Sequence, residues 1–165
     1  GKNIQDKIIS DINRMASDLA LVDGILHLQF KFNGSEYFFL EICRRPPGDL
    51  YTMFVALATG VNIPLKILNS CIGIDNLNEQ LRRKQKERFI LRHCLMSERS
   101  GIIKGIHYDD SIKNNIIQTF NFLGEGDLIS DHMTDKVSIL FLEFANKNEM
   151  DEKINSINTR ISISF

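Results

Sequence analysis

LHLQFKFNGSEYFFLEICRRPPG, residues 26–48, is the stretch around which the rest of the chain is organised. It reads as two strands joined by a tight turn, followed at once by two arginines, two prolines and a glycine. A strand that buries one face alternates apolar and polar residues. Leu26, Leu28, Phe30 and Phe32 share one face here, and His27, Gln29 and Lys31 share the other. The second strand, 36–43, is more apolar throughout, which places it in the middle of a sheet rather than at an edge. It closes with the carboxylate of Glu41, the thiol of Cys43 and then Arg44 and Arg45. A carboxylate at the end of a buried strand beside two guanidinium groups is costly. The combination points to ligand chemistry, a phosphate or a metal.

The register of this hairpin decides whether its polar groups meet. A two-residue turn at Asn33-Gly34 would pair Phe32 with Ser35 and put Glu41 on the face of Leu26 and Leu28. A three-residue turn, Asn33-Gly34-Ser35, would pair His27 with Glu41 and Gln29 with Phe39, so that His27, Gln29, Glu41 and Cys43 line one face. A slip of one residue flips every side chain, so the two exclude each other. The first buries a carboxylate among leucines without a partner, which favours the second.

At these residues the chain resembles the ATP-grasp ligases. Their last core strands carry a His-x-Glu and then a Glu-Ile-x-x-Arg-Pro-x-Gly pattern, and the corresponding residues here are His27-Leu28-Gln29 and Glu41-Ile42-Cys43-Arg44-Arg45-Pro46-Pro47-Gly48. The following helix, LYTMFVALATG at 50–60, is similar to the family's helix closing in Ala-Thr-Gly-Val-Asp. From about Phe89 onward, Ser100-Gly101-Ile102-Ile103 and Gly124-Glu125-Gly126-Asp127 are similar to landmarks of the C-terminal domain in the subgroup that joins carboxylates to amines. The fold implied is α+β. It is the C-terminal half of an ATP-grasp core, an antiparallel sheet with packed helices, followed by a small, mainly antiparallel C-terminal α/β subdomain. The domains implied are 1–74 for the core part, 75–87 for a polar linker and 88–165 for the C-terminal subdomain.

Composition agrees with a globular chain. Of 165 residues, 43% are hydrophobic and 25% charged, which is ordinary for a soluble domain with a core of its own. The net charge of −1 offers no global field to hold nucleic acid or an acidic membrane. The apolar runs are too short to span a bilayer, and no secretory signal is evident. Cys43, Cys71 and Cys94 are odd in number and lack a CxxC spacing, which argues for the cytoplasm and against a disulfide framework or zinc site. The chain opens Gly-Lys-Asn partway into a helical pattern and is expected to be a piece of a longer protein whose N-terminal domains are missing.

The remaining elements follow from periodicity. Ile4, Ile8, Ile12 and Met15, with Ile9, Ala16 and Leu19 beside them, predict a helix over 3–20 that packs one face on a sheet. Asp49 is placed to N-cap a helix over 50–59 that Gly60 ends, with the free amides of its first turn facing Arg45 as an anion site. Pro64 opens a further helix that stops at Gly73. The segment 75–87 is the most polar, and its cluster of Arg82, Arg83, Lys84 and Lys86 lacks the interleaved aromatics that base stacking uses, so it reads as a solvated linker. Strands are predicted over 88–96, 101–108, 116–122, 136–145 and 161–165, a helix over 146–159, and a turn at Gly124-Glu125-Gly126-Asp127. His93, His107 and His132 have no metal-ligand spacing.

The resemblance implies a reaction and its groups. ATP would phosphorylate a carboxylate and an amine would then attack the acyl phosphate, with Mg2+ bridging the phosphates. By resemblance Glu41 is a Mg2+ ligand. Gln29 stands where the family has a second carboxylate, and Cys43 where many members have an asparagine ligand. Arg45 matches the arginine that neutralises the transferred phosphate, a task suited to a planar bidentate donor. Gly48 and the amides after it would hold the substrate carboxylate. The expected cofactors are ATP and Mg2+, the expected partners small carboxylate and amine substrates and the absent domains, and a homodimer can form through the C-terminal halves. The piece alone is expected to be inactive and to bind ATP poorly. Two other readings compete: a degenerate relative that binds a nucleotide or metabolite without turnover, favoured by Gln29 and Cys43, and a small protein-interaction module.

Overall fold

The computed structural model describes residues 2–22, 24–74 and 88–165. The polar segment expected as a linker, 75–87, lies outside the described residues. In chain order the elements are α1 (Lys2–Asp18), β1 (His27–Phe32), β2 (Tyr37–Cys43), α2 (Tyr51–Thr59), α3 (Ile63–Cys71), β3 (Phe89–Met96), β4 (Gly101–Ile102), β5 (Gly105–Tyr108), α4 (Asp110–Lys113), β6 (Ile116–Asn121), β7 (Leu128–Ile129), β8 (Lys136–Phe144), α5 (Lys147–Asn155), α6 (Ile157–Arg160) and β9 (Ile161–Ser164). The fold is α+β, and every strand pair is antiparallel.

The C-terminal region is built on β8. It lies between β3 and β6, and its run Val137–Leu142 is wholly buried. A strand covered on both faces reads as a continuous apolar run rather than an alternation, and VSILFL does so. Leu140, Leu142 and Phe144 of this strand join a core completed by Leu95, Ile103, Ile112, Ile129, Val137 and Ile161. Each fully buried aliphatic or aromatic side chain of this kind contributes about 1.5–3 kcal/mol. The predicted strand over 101–108 is two short strands. β4 pairs with β7 and β5 with β9. The turn at Gly124–Asp127 forms: Gly126 takes φ 88°, the Asp127 amide donates to the Gly124 carbonyl at 3.1 Å, and the Asp127 carboxylate accepts from the Gly124 amide at 2.8 Å.

The helix predicted over 146–159 breaks at Ser156. Serine and asparagine compete with helix by bonding nearby groups, and Ser156 takes φ −122° while its hydroxyl accepts from the Arg160 Nε at 2.8 Å. At the other end Asn146 caps α5, accepting from the Glu149 amide at 3.0 Å, and Glu149 reaches back to the Ala145 amide at 2.8 Å. The Lys153 ammonium, followed by that amide and the Asn115 side chain, holds the Glu149 carboxyl down at about 2.

The N-terminal region is thinner. In α1 the half-buried face carries Ile4, Ile8, Ile12, Met15 and Ala16, while Ile9 and Leu19 are exposed rather than part of that face. The helix reaches the hairpin through Tyr37, whose hydroxyl donates to Asp11 and whose ring lies 5.5 Å from the Lys7 ammonium. The expectation that the second hairpin strand is interior is corrected. Among the described residues β2 pairs with β1 alone, and Phe38 and Leu40 are 57% and 59% exposed. Its apolar run has no second neighbour here to bury it.

Candidate functional site

The site begins with the hairpin turn. Neither sequence-derived register is adopted. The turn is centred on Gly34-Ser35: the Asn33 amide donates to the Glu36 carbonyl at 3.1 Å, and Phe32 faces Tyr37. Asn33 sets this turn, because its side-chain oxygen accepts from the Ser35 amide, the Ser35 hydroxyl and the Glu36 amide at 3.0, 3.1 and 2.8 Å. Gly34 takes φ 101°, which glycine alone adopts without strain.

That register by itself would set Gln29 against Leu40. A bulge between Gln29 and Phe30 makes Leu40 the extra residue and sets Gln29 against Glu41 and His27 against Cys43. Bulges re-aim side chains in this way. His27 therefore faces the thiol and not Glu41, as the favoured register had it. Its Nδ1 is buried without a hydrogen-bond partner among the described residues.

His27, Gln29, Glu41, Arg45, Gly48, Asp49 and Tyr51 surround one cavity of about 470 Å³. The Arg45 guanidinium lies 3.9 Å from the Glu41 carboxylate and donates to its neighbour's carbonyl, Pro46, at 3.1 Å. Both side chains are open to solvent, Arg45 at 61% and Glu41 at 45% exposed, so a ligand can reach them. Arg44 turns away, donating to the Val22 carbonyl at 2.9 Å. There it packs so closely over Gly24 that a β-carbon at that glycine would lie 2.7 Å from the guanidinium.

Glu41 and Gln29 offer adjacent oxygen donors, which are hard ligands suited to Mg2+. Cys43 does not extend that set. Sulfur is soft, and the thiol donates to Glu41 at 2.9 Å, which raises its pKa and keeps it protonated. Among the described residues no group of three or more His, Cys, Asp and Glu side chains is arranged to hold a metal. Glu41 and Gln29 alone would leave most of a Mg2+ coordination shell to groups other than these two.

The entry to α2 differs from expectation. Asp49 does not cap it. The residue at the cap is Leu50, with no side-chain hydrogen bond, and both Asp49 and Leu50 are left-handed at φ 54° and 59°. Leu50 so held costs about 1–2 kcal/mol. The Tyr51 amide donates to the Gly48 carbonyl at 3.1 Å and the Met53 amide to Leu50 at 3.0 Å, so these two are not free for an anion. The Asp49 carboxylate instead accepts from Lys136 at 2.6 Å and lies 3.8 Å from Arg92, and the Lys136 bond holds its pKa below the ordinary carboxylate range. Tyr51, Arg92 and Lys136 escaped the sequence reading. The available signal was Arg92 itself, a charge within the apolar strand FILRHCLM that demands a partner.

No protein-family model and no curated protein sequence matches the chain. Among the solved structures similar to it in fold are two ligases. One is L-amino acid ligase from Bacillus licheniformis, with a TM-score of 0.80 and 15% identity. The other is phosphoribosylglycinamide synthetase from Anaerococcus prevotii, with a TM-score of 0.77 and 17% identity. Each likeness covers 100% of this chain and 43% of the other, so the chain spans less than half the length of either enzyme. Both enzymes are ATP-grasp ligases, and the fold of this chain is that of the C-terminal half of the ATP-grasp architecture.

Proposed function

We propose that this chain is the C-terminal portion of a cytoplasmic, ATP-dependent carboxylate–amine ligase that works through an acyl phosphate. The observation that carries the reading is the gathering of Glu41, Gln29, Arg45 and Gly48 around one cavity in a chain with this fold. Arg45 pairs with the negative charge of the transferring phosphoryl group, as a charged donor whose ion-pair partner among the described residues, Glu41, lies at 3.9 Å. Gly48 leaves room for the substrate carboxylate, because nothing lies within 4 Å of where its β-carbon would be. Glu41 and Gln29 would hold one Mg2+, which when bound supplies charge neutralisation at the phosphates. The carboxylate oxygen bonds to the γ-phosphorus as ADP leaves. The amine nitrogen then bonds to the acyl carbon as phosphate leaves with that oxygen. The N-terminal remainder of the ligase, which would supply the rest of the nucleotide clamp, corresponds to the part of the two similar enzymes beyond this chain. The chain alone is inactive.

A second reading, binding without turnover, is favoured by one observation. The neutral Gln29 is the only partner that faces Glu41 across the hairpin, and a site with one carboxylate holds Mg2+ weakly.

The test is ADP formation by the full-length protein with ATP, Mg2+ and a pool of amino acids. Amine-dependent ADP is expected, and Arg45→Ala should lower kcat about 10²–10³-fold, as loss of one charge-stabilising donor does, with an unchanged melting temperature. ATP binding without ADP formation would favour the second reading. Gln29→Glu should then raise Mg2+ affinity.

A further inference from the structure

Two cations from the C-terminal sheet converge on the turn that walls the cavity. Asp49 and Leu50 are left-handed in succession, at φ 54° and 59°. A single aspartate tolerates that region, but a leucine has no local bond to compensate for it. The helix cap offers none either. The turn is therefore held from outside.

What holds it comes from β3 and β8. Arg92 donates through Nε to the Asp49 carbonyl at 2.6 Å, and its guanidinium lies over the Tyr51 ring at 4.5 Å. Its side chain is 10% exposed, so it is fixed in place. Lys136 reaches the Asp49 carboxylate at 2.6 Å. We propose that Arg92 and Lys136 are positioning residues: they clamp the Asp49–Leu50 turn in its left-handed form and so set Gly48, Asp49 and Tyr51 as one wall of the cavity. This rests on reading that cavity as the ligand site. By this clamp the buried sheet, and not the exposed hairpin, sets the geometry of the wall. The other end of α2 is tied separately, by Arg88 to the Leu57 carbonyl at 3.0 Å. Loosening the clamp therefore frees the turn without releasing the helix.

Hydrogen exchange tests the clamp directly. In the full-length protein, Lys136→Met should speed exchange of the Tyr51 and Met53 amides by about three- to tenfold, the range for a partly exposed charged hydrogen bond. The amides of β3 and β6 should keep their rates, and Lys136→Arg should restore the turn. Leu50→Gly in the Lys136→Met background should return much of the lost protection, because glycine carries no left-handed penalty. In turnover assays Lys136→Met should raise KM for the carboxylate substrate and leave kcat close to that of the parent. Unchanged Tyr51 and Met53 exchange in Lys136→Met would overturn the clamp, as would a rise shared equally by the amides of β3. The exchange result decides the clamp whether or not the ligase reading stands.

Discussion

Strands β2 and β8 read alike and behave differently. YFFLEIC and KVSILFLEF are both close to continuously apolar. β8 has a strand on either side and side chains packed on both faces, and Val137–Leu142 is wholly buried. Among the described residues β2 has one neighbour and leaves Phe38 and Leu40 more than half exposed. The contrast extends to the regions that hold them. Among the described residues every buried side chain lies between Ile90 and Ile161, and none lies between Ile4 and Ile74. An apolar run states what a strand can bury, and its neighbours determine what it does bury. A two-stranded ribbon is marginal by itself, yet this one carries His27, Gln29 and Glu41 of the candidate site.

The contrast can be broken most sharply in urea. Phe141→Ala, in the buried centre of β8, should cost about 3–5 kcal/mol, whereas Phe38→Ala should stay within about 0.5 kcal/mol. Equal costs would mean that the hairpin is buried in solution. Next in size is Arg88→Met. Arg88 joins the regions, binding Glu143 through two bonds at 2.7 and 2.8 Å and the end of α2 at Leu57. Its loss should cost about 1–3 kcal/mol and raise protease cleavage in α2 while β8 stays protected.

How much of this was legible follows from particular residues. β3, β6, β8 and β9 were read within a residue or two, because long apolar runs and turn signals are local. The hairpin and its polar face were legible too, but not the register. That depends on the Asn33 side chain choosing Gly34-Ser35 as the turn centre and on a bulge at Leu40, and neither leaves a periodicity signal. Asp49 looked like a cap because a cap preference is local. Its partners Lys136 and Arg92 are distant in sequence, and they took the carboxylate. β4 and β7, at two residues each, are too short to carry a pattern at all.

Two smaller effects sharpen the same comparison. Glu149 belongs to the buried region, and its carboxyl falls from 4.5 to about 2 on folding. The unfolded chain therefore binds the proton more tightly. The stabilisation is complete above the unfolded value and is lost as pH falls from about 4.5 to about 2. Glu149→Gln should remove that acid-side slope, on the order of 1 kcal/mol after solvent screening, in melts taken across this range. Cys43 belongs to the open region. Its thiol is held protonated by Glu41, whereas Cys71 is exposed. At pH 8 iodoacetamide should modify Cys71 first, by mass spectrometry, and Glu41→Gln should speed modification of Cys43.

The most direct measurement of the central claim is the fate of an oxygen atom. The full-length protein is given ATP, Mg2+, an amine and a carboxylate substrate labelled with 18O. The account predicts ADP, a new amide and one 18O carried into the released phosphate, since the carboxylate oxygen that bonds to phosphorus leaves with it. ATP bound without ADP, or ADP formed with no label in the phosphate, would contradict it.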